Sequence, residues 1–243
     1  MDQLEKLRLA IKECHNIVIF SGAGLSTNSG IPDFRSANGI YNQKLNRSYR
    51  PEEVVSHTFF MEHPKEFYEF YFDKMVYMDA LPNSAHIYFA KLEREGKVRA
   101  VITQNIDDLH QMGGSKNVIE LHGSIKRNYC MKCHKFYSLN DIYNEAFEVP
   151  RCSCGGIIKP DVVLYEEGLN NDDITSAIRN IQNADMLIIV GTSLSVYPAA
   201  GFVNYYRCNK LVLINKSATP LDNEADILIQ DDIKNVIEYL ENN

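Results

Sequence analysis

Long apolar runs are missing from this chain. None of its stretches approaches the roughly 18 residues that a membrane span requires, so no membrane-spanning helix is expected. An excess of positive charge is missing too: 25 Lys and Arg stand against 32 Asp and Glu, a net charge of −7. No nucleic-acid partner is expected, because a nonspecific grip on that polyanion needs a basic face. Cysteine is scarce, with 6 in 243 residues, too few for a disulfide framework at this length. Internal repeats and low-complexity linkers are absent. The first residues, MDQLEKLRLAIKEC, set Leu4, Leu7 and Ile11 on one face of a charged amphipathic helix and do not read as a signal peptide. The expectation is a soluble, cytoplasmic globule.

What is present has an ordinary globular balance, 45% apolar and 23% charged, at a length between one and two domains. Short β-branched runs recur at 16–20 (NIVIF), 98–103 (VRAVIT), 185–190 (DMLIIV) and 210–215 (KLVLIN). They are apolar on both faces, which suits strands covered by helices on each side. Helical patterns at 84–95 and at 231–240, the latter with Ile233, Val236, Ile237 and Leu240 on one face, alternate with them. The pattern predicts an α/β fold with a doubly wound, Rossmann-like parallel sheet. Two stretches break the rhythm. Residues 37–83 are rich in aromatics (Phe59, Phe60, Phe67, Tyr68, Phe70, Tyr71, Phe72) and read as a helical module with its own core, Pro64 suiting a helix start. Residues 125–159 carry the cysteine pairs Cys130-x-x-Cys133 and Cys152-x-Cys154, separated by 18 residues. The predicted organisation is a Rossmann-like domain of residues 1–36, 84–124 and 160–243. A smaller inserted domain is formed by the helical and cysteine modules.

Paired cysteine knuckles at that separation read as a zinc site. Four thiolates fill a tetrahedral ion and leave no position for water, so the metal is structural and zinc hydrolysis is disfavoured. The first strand runs into Ser21-Gly22-Ala23-Gly24-Leu25-Ser26-Thr27. Glycines there let the backbone approach a pyrophosphate at a helix N-terminus, but Thr27 occupies the place of the usual third glycine. On this stretch alone, a nucleotide site and a plain tight turn stay equally open. In SGIPDFRS, Asp33 and Arg35 read either as surface charges or as part of a substrate-covering loop, and Phe34 as a core plug or a lid. Gln104, Asn105, Ile106 and Asp107 follow a strand and face the crevice or cap a helix. His122, at the end of another short run, is a general base or a structural histidine. Gly191, Thr192 and Ser193 end the strongest strand, where small groups can approach a phosphate.

GAGLSTNSGIPDFRS, TQNIDDLH, LHGS, the cysteine pairs, KPDVVLY and GTSLSVYPAAGF stand in the order found in sirtuins, and the chain resembles that family, its bacterial members most, over residues 3–240. The resemblance implies an NAD-dependent protein-lysine deacetylase. In such enzymes the acyl oxygen attacks the nicotinamide ribose, nicotinamide leaves, and O-acyl-ADP-ribose and free lysine follow. By resemblance, His122 is the general base and Asn105 its catalytic companion, with Gln104 and Asn105 on ribose hydroxyls or an ordered water. Gly22, Ala23, Gly24 and Thr27 line the phosphates, while Phe34 and Arg35 cover the reacting ribose. Ile106 and Asp107 grip the carboxamide. Gly191, Thr192, Ser193, Asn215 and Asp232 lie along the adenosine half. Val163 offers a carbonyl to the acyl-lysine N–H, and Tyr165 borders the peptide, which adds as a strand. Cys130, Cys133, Cys152 and Cys154 bind one Zn2+ per chain. Acetylated protein lysines are the implied partners, and a monomer is expected.

Three departures from the family pattern stand out. The second knuckle is C-x-C where C-x-x-C is usual. The family's Phe-Gly-Glu reads Tyr165-Glu166-Glu167, an acid at the groove that predicts a preference for basic peptides. Tyr-x-x-Arg of relatives that remove acidic acyl groups reads Tyr71-Phe72-Asp73-Lys74, and a lysine is no substitute for a guanidinium fork, so acetyl is the expected acyl group. The rival readings are a protein ADP-ribosyltransferase and a binding module without turnover.

Overall fold

The computed structural model describes residues 2–34, 36, 39–40, 49–143 and 148–243. Nine strands are found among them: β1 (Ile17–Ser21), β2 (Val98–Thr103), β3 (Val118–Glu120), β4 (Gly123–Cys130), β5 (Phe136–Ser138), β6 (Ile158–Val162), β7 (Met186–Val190), β8 (Leu211–Ile214) and β9 (Ile227–Ile229). The helices are α1 (Gln3–Glu13), α2 (Pro51–Val54), α3 (His57–Glu62), α4 (Pro64–Lys74), α5 (Ser84–Arg94), α6 (Leu109–Met112), α7 (Leu139–Ile142), α8 (Asn171–Asn183) and α9 (Ile233–Asn242).

Six strands form one parallel sheet in the order β3-β2-β1-β7-β8-β9. The apolar runs need two covered faces, and the period of two divides them. Ile17, Ile19, Met186, Ile188, Val190, Val212 and Ile214 face a core that also holds buried residues of α1, α5 and α9. Val18, Phe20, Leu187, Ile189 and Leu213 face the other, with Ala177 and Ile181 of α8 and Phe202 and Val203 of a 3-10 segment. Strand order runs outward in both directions from β1 and β7, so a crevice opens at their carboxyl ends, the switch point where open α/β sheets bind ligands.

The second sheet is antiparallel, in the order β5-β4-β6. Its apolar face and the aromatics of α3 and α4 make a single core, in which Phe60, Phe67, Tyr68, Phe70 and Tyr71 pack with Ile125, Cys130, Cys152, Ile158 and Val162. The Tyr68 hydroxyl donates to the Ile158 carbonyl and ties α4 to β6. β4 begins at Gly123, directly after His122, and β6 runs straight into Val163, so this small sheet carries both residues to the crevice.

The Phe67 ring stacks on Tyr71 at 5.7 Å and is fully buried. Phe67→Ala is therefore expected to lose about 3–5 kcal/mol of stability in chemical unfolding. Tyr71 is equally buried but its hydroxyl finds no hydrogen-bond partner among the described residues, so Tyr71→Phe should leave the unfolding midpoint unchanged or raise it.

Candidate active site

The turn after β1 is held against the end of β7 by backbone alone. Gly24 N–H donates to the Gly191 carbonyl at 2.8 Å, and Gly22 N–H to that of Val190 at 3.1 Å. A methyl group on Gly24 would lie 2.9 Å from Gly191 Cα, and one on Gly191, whose φ is +62°, 2.3 Å from Leu25 N. These glycines are required by close approach, and the plain tight turn explains only part of them. Ala23 opens the following 3-10 segment (Ala23–Ser29). Thr27, in place of the third glycine, closes it with its hydroxyl on the Gly24 carbonyl at 2.9 Å.

Polar side chains converge on the same edge. Gln104 N–H donates to the Ser21 carbonyl at 3.0 Å, and its side-chain amide to Thr192 Oγ1 at 3.0 Å. Asn105 is buried, with Nδ2 on Ser26 Oγ at 3.0 Å, and Ser26 Oγ donates to Asp107 Oδ2 at 2.6 Å. Burial pushes the Asp107 carboxyl up, against the hydrogen bonds from Ser26 and Leu109 N–H. Ile106 and Phe34 pack against the small module's core. Arg35 lies outside the described residues. Ser193 bonds Ser195 at 2.6 Å on the β7 side. Asn215 lies at the end of β8, its N–H on Ile229 O at 3.2 Å. Asp232 caps α9, and its carboxylate is engaged by both Asn28 (2.7 Å) and Lys216 (2.7 Å). Buried amide, hydroxyl and carboxyl groups at a switch point fit the ribose and carboxamide groups of a dinucleotide such as NAD.

His122 Nδ1 lies 2.9 Å from the Gln104 carbonyl. A carbonyl only accepts, so Nδ1 carries the proton and Nε2 keeps its lone pair. Burial lowers the His122 pKa below the ordinary histidine value, against that hydrogen bond, and so favours the neutral ring. Its own backbone carbonyl receives the Val163 N–H at 3.0 Å.

Backbone groups around Val163 can be accounted for almost completely. Leu164 N–H goes to Glu167 Oε2 (2.9 Å), Tyr165 N–H to the Val55 carbonyl (3.0 Å) and the Tyr165 carbonyl receives His57 N–H (3.0 Å). No described residue donates to the Val163 carbonyl. Glu166 is exposed and lines an open cavity together with Tyr165, Glu53 and Glu62. Its carboxylate receives Thr58 N–H (2.9 Å) and hydroxyl (2.7 Å) at the start of α3. Lys74 is paired with Asp73 at 3.3 Å.

The four clustered cysteine sulfurs lie within 4.8 Å of one another, three of the pairs at 3.5, 3.5 and 3.6 Å. Zinc–sulfur bonds of about 2.3 Å in a tetrahedron put sulfurs about 3.8 Å apart, so the quartet fits a structural zinc ion. Gly156 makes the shortened C-x-C knuckle possible, since a methyl group there would lie 2.7 Å from Cys130 Sγ.

The profile of the Sir2 family matches residues 22–198. The chain belongs to the Sir2 family. Among similar Sir2 proteins, the NAD-dependent protein deacetylase of Clostridium tetani is 58% identical over 98% of this chain and 96% of its own length. That of Clostridium perfringens is 58% identical over 97% of each. A Sir2 variant solved with a deacetylated p53 peptide and 3′-O-acetyl ADP-ribose superposes with a TM-score of 0.90 at 38% identity, covering 98% of this chain and 97% of that one. A Sir2 complex with p53 peptide and NAD+ gives 0.84 at 40% identity, covering 100% and 97%.

Sequence reasoning passed over a polar layer beneath the Sir2 motifs. Ser21 Oγ donates to Thr103 Oγ1 (3.0 Å) and meets His110 Nε2 (2.9 Å), and the His110 ring packs edge-on against His86 at 4.9 Å. A histidine inside TQNIDDLH, at a helix position facing the sheet, was the available signal. Burial pushes His86 from its ordinary 6.5 down to about 4 and lowers His110 well below 6.5. Folded-state values below the unfolded one mean that the stability is present above pH 6.5 and lost as pH falls toward 4. Urea unfolding should show a loss of roughly 3 kcal/mol from His86 over that range, which His86→Gln abolishes.

Proposed function

We propose that this chain is an NAD-dependent protein-lysine deacetylase in which His122 and Val163 are the two ends of one catalytic unit. NAD supplies the ADP-ribosyl group that accepts the acetyl, so acetyl-lysine, NAD and water give lysine, nicotinamide and O-acetyl-ADP-ribose. The carrying observation is the 3.0 Å bond from Val163 N–H to the His122 carbonyl, which joins a neutral base to a carbonyl that no described residue uses. His122 takes the proton of a ribose hydroxyl on Nε2 while Nδ1 stays on Gln104. Asn105, fixed by Ser26, holds a ribose hydroxyl or a water. Asp107 and Ile106 take the carboxamide, Phe34 and Arg35 cover the ribose, and Gly22, Ala23, Gly24 and Thr27 line the phosphates. Gly191, Thr192, Ser193, Asn215 and Asp232 serve the adenosine half. Val163 accepts the acyl-lysine N–H, and Tyr165 borders the peptide.

The quartet of Cys130, Cys133, Cys152 and Cys154 holds its zinc beside the small core and takes no part in the reaction. Such thiolates suit a reducing compartment, and the same reading makes the enzyme a cytoplasmic monomer acting on acetylated proteins, without nucleic acid or membrane. No described helix is long and apolar enough to cross a membrane. Lys74, engaged by Asp73, gives an acidic acyl group no free fork, which supports acetyl as the main substrate.

Mass spectrometry of an acetyl-lysine peptide tests the reading. Deacetylation should require NAD, yield O-acetyl-ADP-ribose and fall about 10²–10⁴-fold in His122→Ala. Succinyl-lysine should turn over more slowly than acetyl-lysine in the same peptide. NAD consumed with mass added to protein would instead assign ADP-ribosyl transfer, and binding without nicotinamide release a non-catalytic module.

A further inference from the structure

We infer that Glu167 is a positioning residue for the substrate, aiming the Val163 carbonyl at the acyl-lysine through the peptide plane they share. The inference rests on the reading of Val163 as the substrate's anchor. The peptide group is planar and trans, so the Val163 C=O and the Leu164 N–H point in opposite directions within one rigid unit. Whatever holds that N–H sets the direction of that carbonyl. Glu167 Oε2 receives the Leu164 N–H at 2.9 Å, so its carboxylate holds the plane from the side away from the Val163 oxygen. An amide N–H bonded to a carboxylate is also polarised, which strengthens its carbonyl as an acceptor.

The carboxylate is itself anchored on two elements. Oε2 takes Lys159 Nζ at 3.0 Å and Oε1 lies 2.8 Å from His57 Nδ1, at the start of α3. Lys159 Nζ also reaches the Val162 carbonyl at 3.0 Å, while the Val163 N–H is held by His122. Both peptide planes flanking Val163 are thus fixed by named groups. The turn that brings Glu167 back is closed by its N–H on the Leu164 carbonyl at 3.0 Å. The third residue of the turn, Glu166, has φ +74°, a conformation that favours glycine. Its carboxylate receives Thr58 N–H and hydroxyl at the start of α3, so the two consecutive acids of Tyr165-Glu166-Glu167 both tie this stretch to α3.

The test compares two peptides in a binding titration: one with acetyl-lysine, and one with its methyl-ketone isostere, in which CH2 replaces the side-chain N–H. The wild-type zinc-loaded protein should bind the amide about tenfold tighter, the difference of one good hydrogen bond. In Glu167→Gln the amide peptide should weaken and the ratio shrink to within about twofold, with NAD affinity unchanged. Glu167→Asp, which keeps the charge but shortens the reach, should narrow the ratio likewise and serves if the glutamine variant is unstable. A ratio preserved in both variants overturns the positioning role while leaving Val163 as the anchor. A wild-type protein that does not distinguish the two peptides removes the anchor itself, and this inference with it.

Discussion

Gln104 is the residue on which the geometry of the crevice depends. Its N–H holds the end of β1 through Ser21, its side-chain amide holds the end of β7 through Thr192, and its carbonyl receives His122. Three separate stretches of chain therefore meet on one residue at the switch point of the sheet. The consequence is chemical as well as mechanical. Because the carbonyl can only accept, it selects the imidazole tautomer, and because the ring is buried beside it, the neutral form is favoured. An imidazole oriented in this way has a backbone carbonyl where the histidine of a hydrolytic triad has a carboxylate.

The small module completes what the sheet begins. Its zinc-sized cysteine cluster and its aromatic helices pack into one core rather than two, and the β4 and β6 strands emerge from that core. β4 begins just after His122 and β6 ends just before Val163, and the bond between those two residues closes the ring. The cysteine cluster that fits a zinc ion thus lies in the same core as the strands leading to His122 and Val163. Glu166 and Glu167 finish the arrangement by tying the stretch after β6 back onto α3.

Much of this was legible in the sequence, for identifiable reasons. Runs such as NIVIF and DMLIIV declare two covered faces, and the cysteine spacing declares a four-thiolate site. Glycines 22 and 24 announce close backbone approach, although the partner they approach, Gly191, is far away in the chain. What could not be read were pairings across long separations. The Ser21–His110 contact spans 89 positions and His57–Glu167 spans 110, and nothing local names the distant partner. Glu166 shows the same limit differently. An acid at a groove suggests a charge and no more, whereas its left-handed backbone and its bonds to Thr58 at the start of α3 come from the fold. Direction and partner, not residue type, decide its role.

The central claim is that Gln104 holds His122 as a neutral base with a free Nε2. Nitrogen-15 NMR of the imidazole, titrated in the ligand-free protein and assigned with His122→Gln, tests it most directly. The account requires the proton on Nδ1 at pH 7 and a pKa below the ordinary 6.5. A proton on Nε2, or a pKa above 6.5, would contradict it.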